Sequence, residues 1–277
     1  MQQANCCRGR SSSFYVLLFV SAICSSQAIS AKAGEATHDW SGYSAGIVMG
    51  SARTKADVHF DLPSAYVGPA GMEPQIDAAS LVSEISPSSI SHRNFSGGFQ
   101  AGYSFQKNHL VWGGEAGLVL NGVKASDNVS GAGADDVPWD ATVKTSVKAD
   151  WMLTLLPRIG YATGKALIYA TGGLAVADIK VSQSQHQLYA TFGGYGLEVS
   201  KTKTQLGWTL GTGVEYALSP KWALKGEYLY TAFGKITANT VTTDEGSWSA
   251  YPVAGETFHH EFKVKTQAFN LGVNYKF

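Results

Sequence analysis

Hydrophobic and polar residues alternate with a period of two over several long segments of the chain. Between Phe95 and Phe105, aromatic and small apolar residues take one set of alternate positions, and glycine, serine and glutamine take the other. The segment from Leu110 to Leu120 repeats this arrangement. Strict alternation over such a length predicts a β-strand with two unlike faces.

Eight segments carry this pattern, and short polar connections join them in pairs. The predicted strands are 41–53, 93–106, 109–121, 147–162, 166–181, 204–218, 221–235 and 264–277. Lys107-Asn108, Thr163-Gly164-Lys165 and Ser219-Pro220-Lys221 suit tight turns, while the segments 54–92, 122–146, 182–203 and 236–263 are predicted to be long loops. The fold class is therefore all-β: an eight-stranded antiparallel up-and-down barrel with four long external loops.

The size of the apolar side chains decides which face of the wall points outward. An eight-stranded barrel has room inside only for small or closely fitted side chains. The bulky face, which includes Phe99, Trp112, Leu155, Trp208 and Phe269, does not fit that space and must face outward. An apolar outer wall is stable only in lipid, so the sequence predicts a transmembrane β-barrel.

The N-terminal segment resembles a secretory signal peptide. Arg8 and Arg10 precede an apolar run from Phe14 to Ile23, and small residues follow. We expect residues 1–33 to be the signal peptide with a short spacer and residues 34–277 to be the barrel. All three cysteines, Cys6, Cys7 and Cys24, lie in the first segment, so we expect an exported chain without disulfides or cysteine-ligated metal.

Composition narrows the function classes further. Charged residues make up 15% of the chain, aromatic residues 12%, and the formal net charge is zero. This low charge argues against a disordered segment or an ordinary cytosolic enzyme. The absence of a basic cluster argues against nucleic acid as a partner.

Five charged residues fall on the predicted lumen face, a few residues from the short turns: Glu115, Arg158, Glu215, Lys225 and Glu227. Each would be costly to bury alone, so they are expected to meet at one level. A paired cluster that plugs the lumen and a conducting path are both compatible with the sequence. The plug is favoured because eight strands leave no continuous water channel.

Several stretches resemble the small outer-membrane β-barrel surface proteins of alphaproteobacteria, a family of porin-like surface antigens that includes hemin-binding members. The similar stretches are 39–43, 151–162, 169–175, 207–217, 222–230 and 271–277. The resemblance implies an outer-membrane location, contact with lipid and lipopolysaccharide, and a signal at Phe277, Tyr275 and Val273 that the outer-membrane assembly machinery reads. Where relatives carry arginine and glycine, this chain has Leu156 and Pro157, so we expect a bulge or a missing hydrogen bond there.

We therefore expect a monomeric structural protein, without catalytic residues or a required cofactor, that supports the envelope and displays loops to a host surface or the environment. Hemin binding is the alternative, because neutral histidine is an iron ligand and His59, His92, His186, His259 and His260 lie in or beside the predicted loops. His259, His260 and His186 are its candidate ligands. A lipid-modifying barrel enzyme stays open as a third class, with Ser91, His92 and Glu261 as the polar residues at loop bases.

Overall fold

The computed structural model describes residues 38–61, 88–132, 139–189, 193–241 and 257–277. Eight antiparallel strands form a closed barrel in sequence order, with β8 paired to β1. The strands are β1 Gly42–Asp61, β2 Ser89–Lys107, β3 Leu110–Ala132, β4 Trp139–Thr163, β5 Ala166–Tyr189, β6 Gly193–Ala217, β7 Trp222–Val241 and β8 Thr257–Lys276. The predicted all-β, eight-stranded, up-and-down fold is confirmed. The described residues contain no helix of the length and apolarity needed to cross a bilayer.

The predicted orientation of the two faces is also confirmed. The bulky apolar side chains lie on the outside of the wall, and Phe95 is 70% exposed. They form an apolar band that begins at the end carrying the short turns, which we call the turn end. Aromatic residues border the band at the turn end, where Trp222 and Tyr275 pack edge to face at 5.0 Å and Tyr43 packs on Tyr103 at 4.6 Å.

The strands run further from the turn end than the alternation of bulky residues predicted. Most of the predicted loop 182–203 is strand, since β5 reaches Tyr189 and β6 begins at Gly193. His59, His92, His186, His259 and His260 accordingly lie in strands and not in loops. The remaining parts of the predicted loops, and the predicted signal peptide, fall outside the described residues.

We call this second part of the wall the outer collar, which comprises residues 53–61, 89–93, 122–132, 139–150, 177–189, 193–205, 234–241 and 257–267. In the collar the polarity of the two faces is reversed. Apolar side chains such as Ile90, Ile179 and Phe262 are buried inside and form a hydrophobic core. Lysine, arginine, aspartate, glutamate, serine and threonine side chains take the outer face, so it is polar and carries both signs of charge. The collar therefore has the polarity of a barrel in water, whereas the apolar band has that of a barrel in lipid.

Three irregularities mark the change from band to collar. The strand register shifts between Leu120 and Val123, between Lys148 and Met152, and between Ala232 and Lys235. In β4 the inward side chains are at odd positions up to Ala149, in the collar, and at even positions from Met152 onward, in the apolar band. A bulge inserts one residue into one strand, which exchanges the inner and outer faces.

Pro157 interrupts the pairing of β4 with β5 without changing its register. Leu155 pairs with Leu174 and Arg158 with Thr171, while the two positions between them have no partner on β5. Of the two outcomes expected at this position, the structure shows lost pairing and no bulge. The Thr171 hydroxyl donates to the Pro157 carbonyl at 2.9 Å and satisfies one group in the gap.

Candidate functional site in the barrel lumen

The five charged residues predicted to share one level of the lumen are in contact with one another. Arg158 Nη1 lies 2.5 Å from Glu215 Oε1 and 3.7 Å from Glu115 Oε2. Lys225 Nζ lies 2.7 Å from Glu115 Oε1 and 3.1 Å from Glu227 Oε2. We call these five residues the lumen cluster. Each of its two cations bridges two carboxylates, so the five residues form one ionic network across β3, β4, β6 and β7, with three carboxylates to two cations.

The strand register brings these residues together. Glu215 lies directly opposite Lys225, and Glu227 lies opposite Gly213 on the same pair of strands. Glu115 and Arg158 lie near each other on β3 and β4, because Arg158 pairs with Gly113. All five occupy inward positions of the alternating pattern, and the residues next to them in sequence lie on the opposite, outward face. The same alternation that builds the apolar band therefore aims every one of these charges into the lumen.

Uncharged polar residues, which the sequence pattern did not single out, surround the lumen cluster and bind to it. Tyr169 on β5 donates its hydroxyl to Glu227 Oε2 at 2.9 Å, and Arg158 and Lys225 lie 5.5 Å and 5.7 Å from its ring centroid. On β2, Ser104 Oγ accepts from Arg158 Nη2 at 2.7 Å and Gln100 Oε1 accepts from Lys225 Nζ at 3.0 Å. Gln100 in turn donates to Asn274 Oδ1 at 2.6 Å. The network joins all strands except β1.

Tyr169 is the one large inward aromatic at the level of the cluster among the described residues, and a glycine makes room for it. A Cβ atom at Gly213 would lie 2.4 Å from the Tyr169 hydroxyl oxygen and 2.5 Å from Cζ. The sequence carried one indication of this role: Tyr169 is an aromatic residue at an inward position of β5, and its partner on β6 is a glycine.

The lumen is closed on the turn-end side of the cluster by Trp40. Its side chain is 7% exposed and packs with Val111, Ala162, Leu167, Ala217 and Ala223. Backbone contacts fix the segment that carries it: Trp40 N donates to Gln106 Oε1 at 2.7 Å and His38 N donates to Gly164 O at 2.9 Å. A cavity of about 20 Å³ between Trp40, Arg158 and Glu215 has room for roughly one water molecule.

Hydroxyl pairs and an apolar core fill the lumen on the other side of the cluster. Thr209 Oγ1 lies 2.9 Å from Thr231 Oγ1, and Thr54 Oγ1 lies 3.2 Å from Thr266 Oγ1. Beyond these pairs lies the hydrophobic core of the collar. The sequence predicted a lumen lined by small and polar residues, and the structure shows that in the collar the lumen is mainly apolar.

The histidines proposed as hemin ligands do not share a site that the described side chains define. The His260 side chain is 5% exposed, points into the collar and stacks on Phe262 at 6.5 Å. His259 is its neighbour on β8, with Asp61 and Asn239 opposite. His186 lies on β5, opposite Thr142 and Gly196, and two strands separate it from β8. The side chains of His259 and His186 are outside the described ones.

The polar residues considered for catalysis lie on separate strands of the collar. Ser91 and His92 belong to β2, where the Ser91 hydroxyl accepts from Arg53 at 3.3 Å. Glu261 belongs to β8, and Lys235 and Lys263 each lie 3.1 Å from its carboxylate. Strand β1 separates β2 from β8. The structure therefore does not bring Ser91 and Glu261 together.

The assembly-signal residues Val273, Tyr275 and Phe277 lie at the turn end of β8. Phe277 N donates to Tyr43 O at 3.1 Å, and the Phe277 and Tyr275 rings pack at 5.3 Å. All three side chains face the outside of the wall. Recognition by the assembly machinery stays a prediction.

The chain matches the family model described as outer membrane protein beta-barrel domain over residues 16–277. The 31 kDa outer-membrane immunogenic protein of Brucella melitensis biotype 1 is 35% identical over 185 residues, which are 66% of each chain. The 22 kDa outer membrane protein of Rhizobium leguminosarum bv. viciae is 29% identical over 56% of this chain and 59% of that one. The chain thus spans 66% of the length of the Brucella relative and 59% of the Rhizobium one.

A solved structure, the outer membrane protein OprG from Pseudomonas aeruginosa, is 14% identical with a TM-score of 0.44. The similarity covers 87% of this chain and 99% of that one.

Proposed function

This chain belongs to the outer membrane protein β-barrel domain family, and on that premise we propose that it is a non-conducting structural protein of the bacterial outer membrane. Its location follows from the family, the relatives and the apolar band. One observation supports the absence of a channel. The lumen is filled in succession by Trp40, the lumen cluster, the threonine pairs and the collar core.

Planar-bilayer conductance tests this proposal. The folded full-length mature protein should insert without producing stable openings, because ion conduction needs a continuous file of water through the barrel. Altered gel mobility of the unheated sample shows that the inserted protein is folded. Stable openings that disappear when the same sample is denatured would contradict the proposal.

We further propose that the collar faces the cell exterior. Short turns lie on the periplasmic side of outer-membrane barrels, which places the collar on the other side. The Brucella relatives are named immunogenic, which supports surface exposure in this chain. A membrane-impermeant amine reagent on intact cells should label collar lysines such as Lys144 and leave Lys107 and Lys165 at the turn end unlabelled. The reverse pattern would refute this orientation.

The proposal includes no enzymatic activity, and it assigns no cofactor. It is supported by the separation of Ser91 from Glu261 and by the engagement of Glu261 with two lysines. Lipid A from a deletion strain should have the same mass as lipid A from the parent strain. A mass change that reverts on complementation would identify the protein as a lipid-modifying enzyme.

Hemin binding has less structural support, because one of its three candidate ligands, His260, is buried inside the collar. Difference absorption tests it directly. Hemin added to the folded protein should give the same spectrum for the wild type and for the variant H186A/H259A/H260A. A Soret shift that only the wild type shows would establish a hemin site.

A further inference from the structure

Cationic residues face one another across neighbouring strands on the outer face of the collar. Arg53 on β1 lies directly opposite Arg93 on β2. One row further from the turn end, Lys55 on β1 lies directly opposite Lys265 on β8. Like charges at directly opposite positions destabilise a sheet, so each pair is unfavourable unless an anion lies between its two cations.

A row of three lysines repeats this arrangement on the other side of the barrel. Lys124 on β3 lies opposite Lys148 on β4, and Lys148 also lies opposite Lys180 on β5. All three side chains are exposed. Across the residues that the structure describes, none of the three forms an ion pair, whereas Lys55 and Lys265 share Asp57 at 2.9 and 3.6 Å. We call Lys124, Lys148 and Lys180 the lysine row.

Both groups lie just beyond the edge of the apolar band. Phe95, the last outward aromatic of β2, is two residues from Arg93, which is a rise of about 5 Å along a tilted strand. Leu120, opposite Trp151, is four residues from Lys124, which is about 10 Å by the same measure. Long basic side chains extend toward the membrane surface from such positions. The cations therefore reach the plane where lipid headgroups begin.

The geometry points to a phosphorylated glycolipid of the outer leaflet, of the lipid A type, as the ligand of these cations. We propose that its phosphate groups bind between the opposed cations of the lysine row and of the Arg53–Arg93 pair. A phosphate carries several acceptor oxygens and can bridge two cations that otherwise repel each other. The inference deepens the structural role proposed above: the collar anchors the protein laterally to the leaflet that surrounds it.

The test compares phosphatidylcholine nanodiscs without lipid A, with bisphosphorylated lipid A and with lipid A lacking its phosphates. The full-length folded protein is used as wild type and as K124Q/K148Q/K180Q. Without lipid A the triple variant should melt at a higher temperature than the wild type, because the repulsion in the row is gone. With bisphosphorylated lipid A the order should reverse, and the affinity of the variant for it should be lower by at least about tenfold.

Two matched variants separate the ligand site from general effects of charge and folding. K107Q/K165Q/K221Q removes three lysines at the turn end and should leave lipid A affinity unchanged. K124R/K148R/K180R keeps the charges and should retain binding. Equal binding of phosphate-free lipid A, or equal loss in the turn-end variant, would overturn the proposal.

Full displacement of lipid A by soluble tripolyphosphate would also overturn the proposal, because it would identify a site for free anions. None of these measurements depends on conductance, so this proposal and the absence of a channel fail separately.

Discussion

Replacing Lys225 by methionine tests whether the lumen cluster acts as a unit of stability. Lys225 Nζ is bound by Glu115, Glu227 and the Gln100 side-chain oxygen, and its side chain is 1% exposed. Methionine fills a similar volume but leaves Glu227 without a cation and Glu115 with only Arg158 at 3.7 Å. Breaking a buried ion pair on one side costs about 3–5 kcal/mol, because a charge stays buried without compensation.

Lys235 provides the matched control for this experiment. It also forms an ion pair with a glutamate at 3.1 Å, but its side chain is 63% exposed. Exposed pairs contribute about 0–1 kcal/mol, so K235M should cost no more than that. The two variants differ in the burial of the lysine and not in the substitution. The free energy of unfolding is measured by urea titration in lipid vesicles with tryptophan fluorescence.

A double variant makes the reasoning refutable. In K225M/E227Q the buried cation and one of its carboxylates are removed together, so most of the loss in K225M should be recovered. If K225M costs no more than K235M, the lumen cluster does not carry the stability assigned to it. If E227Q does not rescue K225M, the cost comes from packing and not from uncompensated charge.

Three further predictions concern the wall. Gly98→Ala should destabilise the barrel by about 1–3 kcal/mol in the same urea titration, because its Cβ would lie 2.2 Å from Leu118 O, whereas Gly97→Ala, with 3.5 Å to Val48 O, should be nearly neutral. Equal costs would refute the close approach. Brominated lipids should quench a variant whose only tryptophan is Trp208 and leave a Trp40-only variant bright; the opposite result would invert the assignment of faces. Hydrogen bonds from Lys235 and Lys263 lower the pKa of Glu261, and one from Lys55 lowers the pKa of Asp57. Stability from these ion pairs is present above the unfolded pKa and lost as pH falls through the folded one, so the melting temperature should hold to about pH 5 and fall below about pH 4, less so in D57N/E261Q.

The fold and the lumen cluster could be predicted from sequence because one rule governs both. Bulky side chains do not fit inside an eight-stranded barrel, so the alternate positions that they occupy must face outward. Glu115 and Arg158 occupy the other positions and must therefore face inward. That rule needs no knowledge of which strands pair. It could not reveal which carboxylate each cation binds, since that depends on the register of β6 with β7.

The collar was missed because the same rule was applied past the point where it holds. Beyond Arg53 the outer positions are charged and the inner ones are Thr54, Ala56 and Val58. Small inner residues between charged ones resemble a polar loop when an alternation of bulky side chains is the criterion for a strand. The alternation itself was present, and the register shifts near Leu120, Lys148 and Ala232 disturbed its phase.

The reversal of polarity at the junction of band and collar sets how deep the barrel sits in the bilayer. If the protein sank by one outward row, the Arg53–Arg93 pair would enter the edge of the hydrocarbon, where an arginine costs about 0–1 kcal/mol, and deeper sinking would raise this cost toward about 2–4 kcal/mol. If it rose by one row, Phe95 and Phe269 would lose lipid contact, at about 1.5–3 kcal/mol for each fully exposed ring. Both displacements are uphill, so the pattern of the wall alone favours one depth in the bilayer.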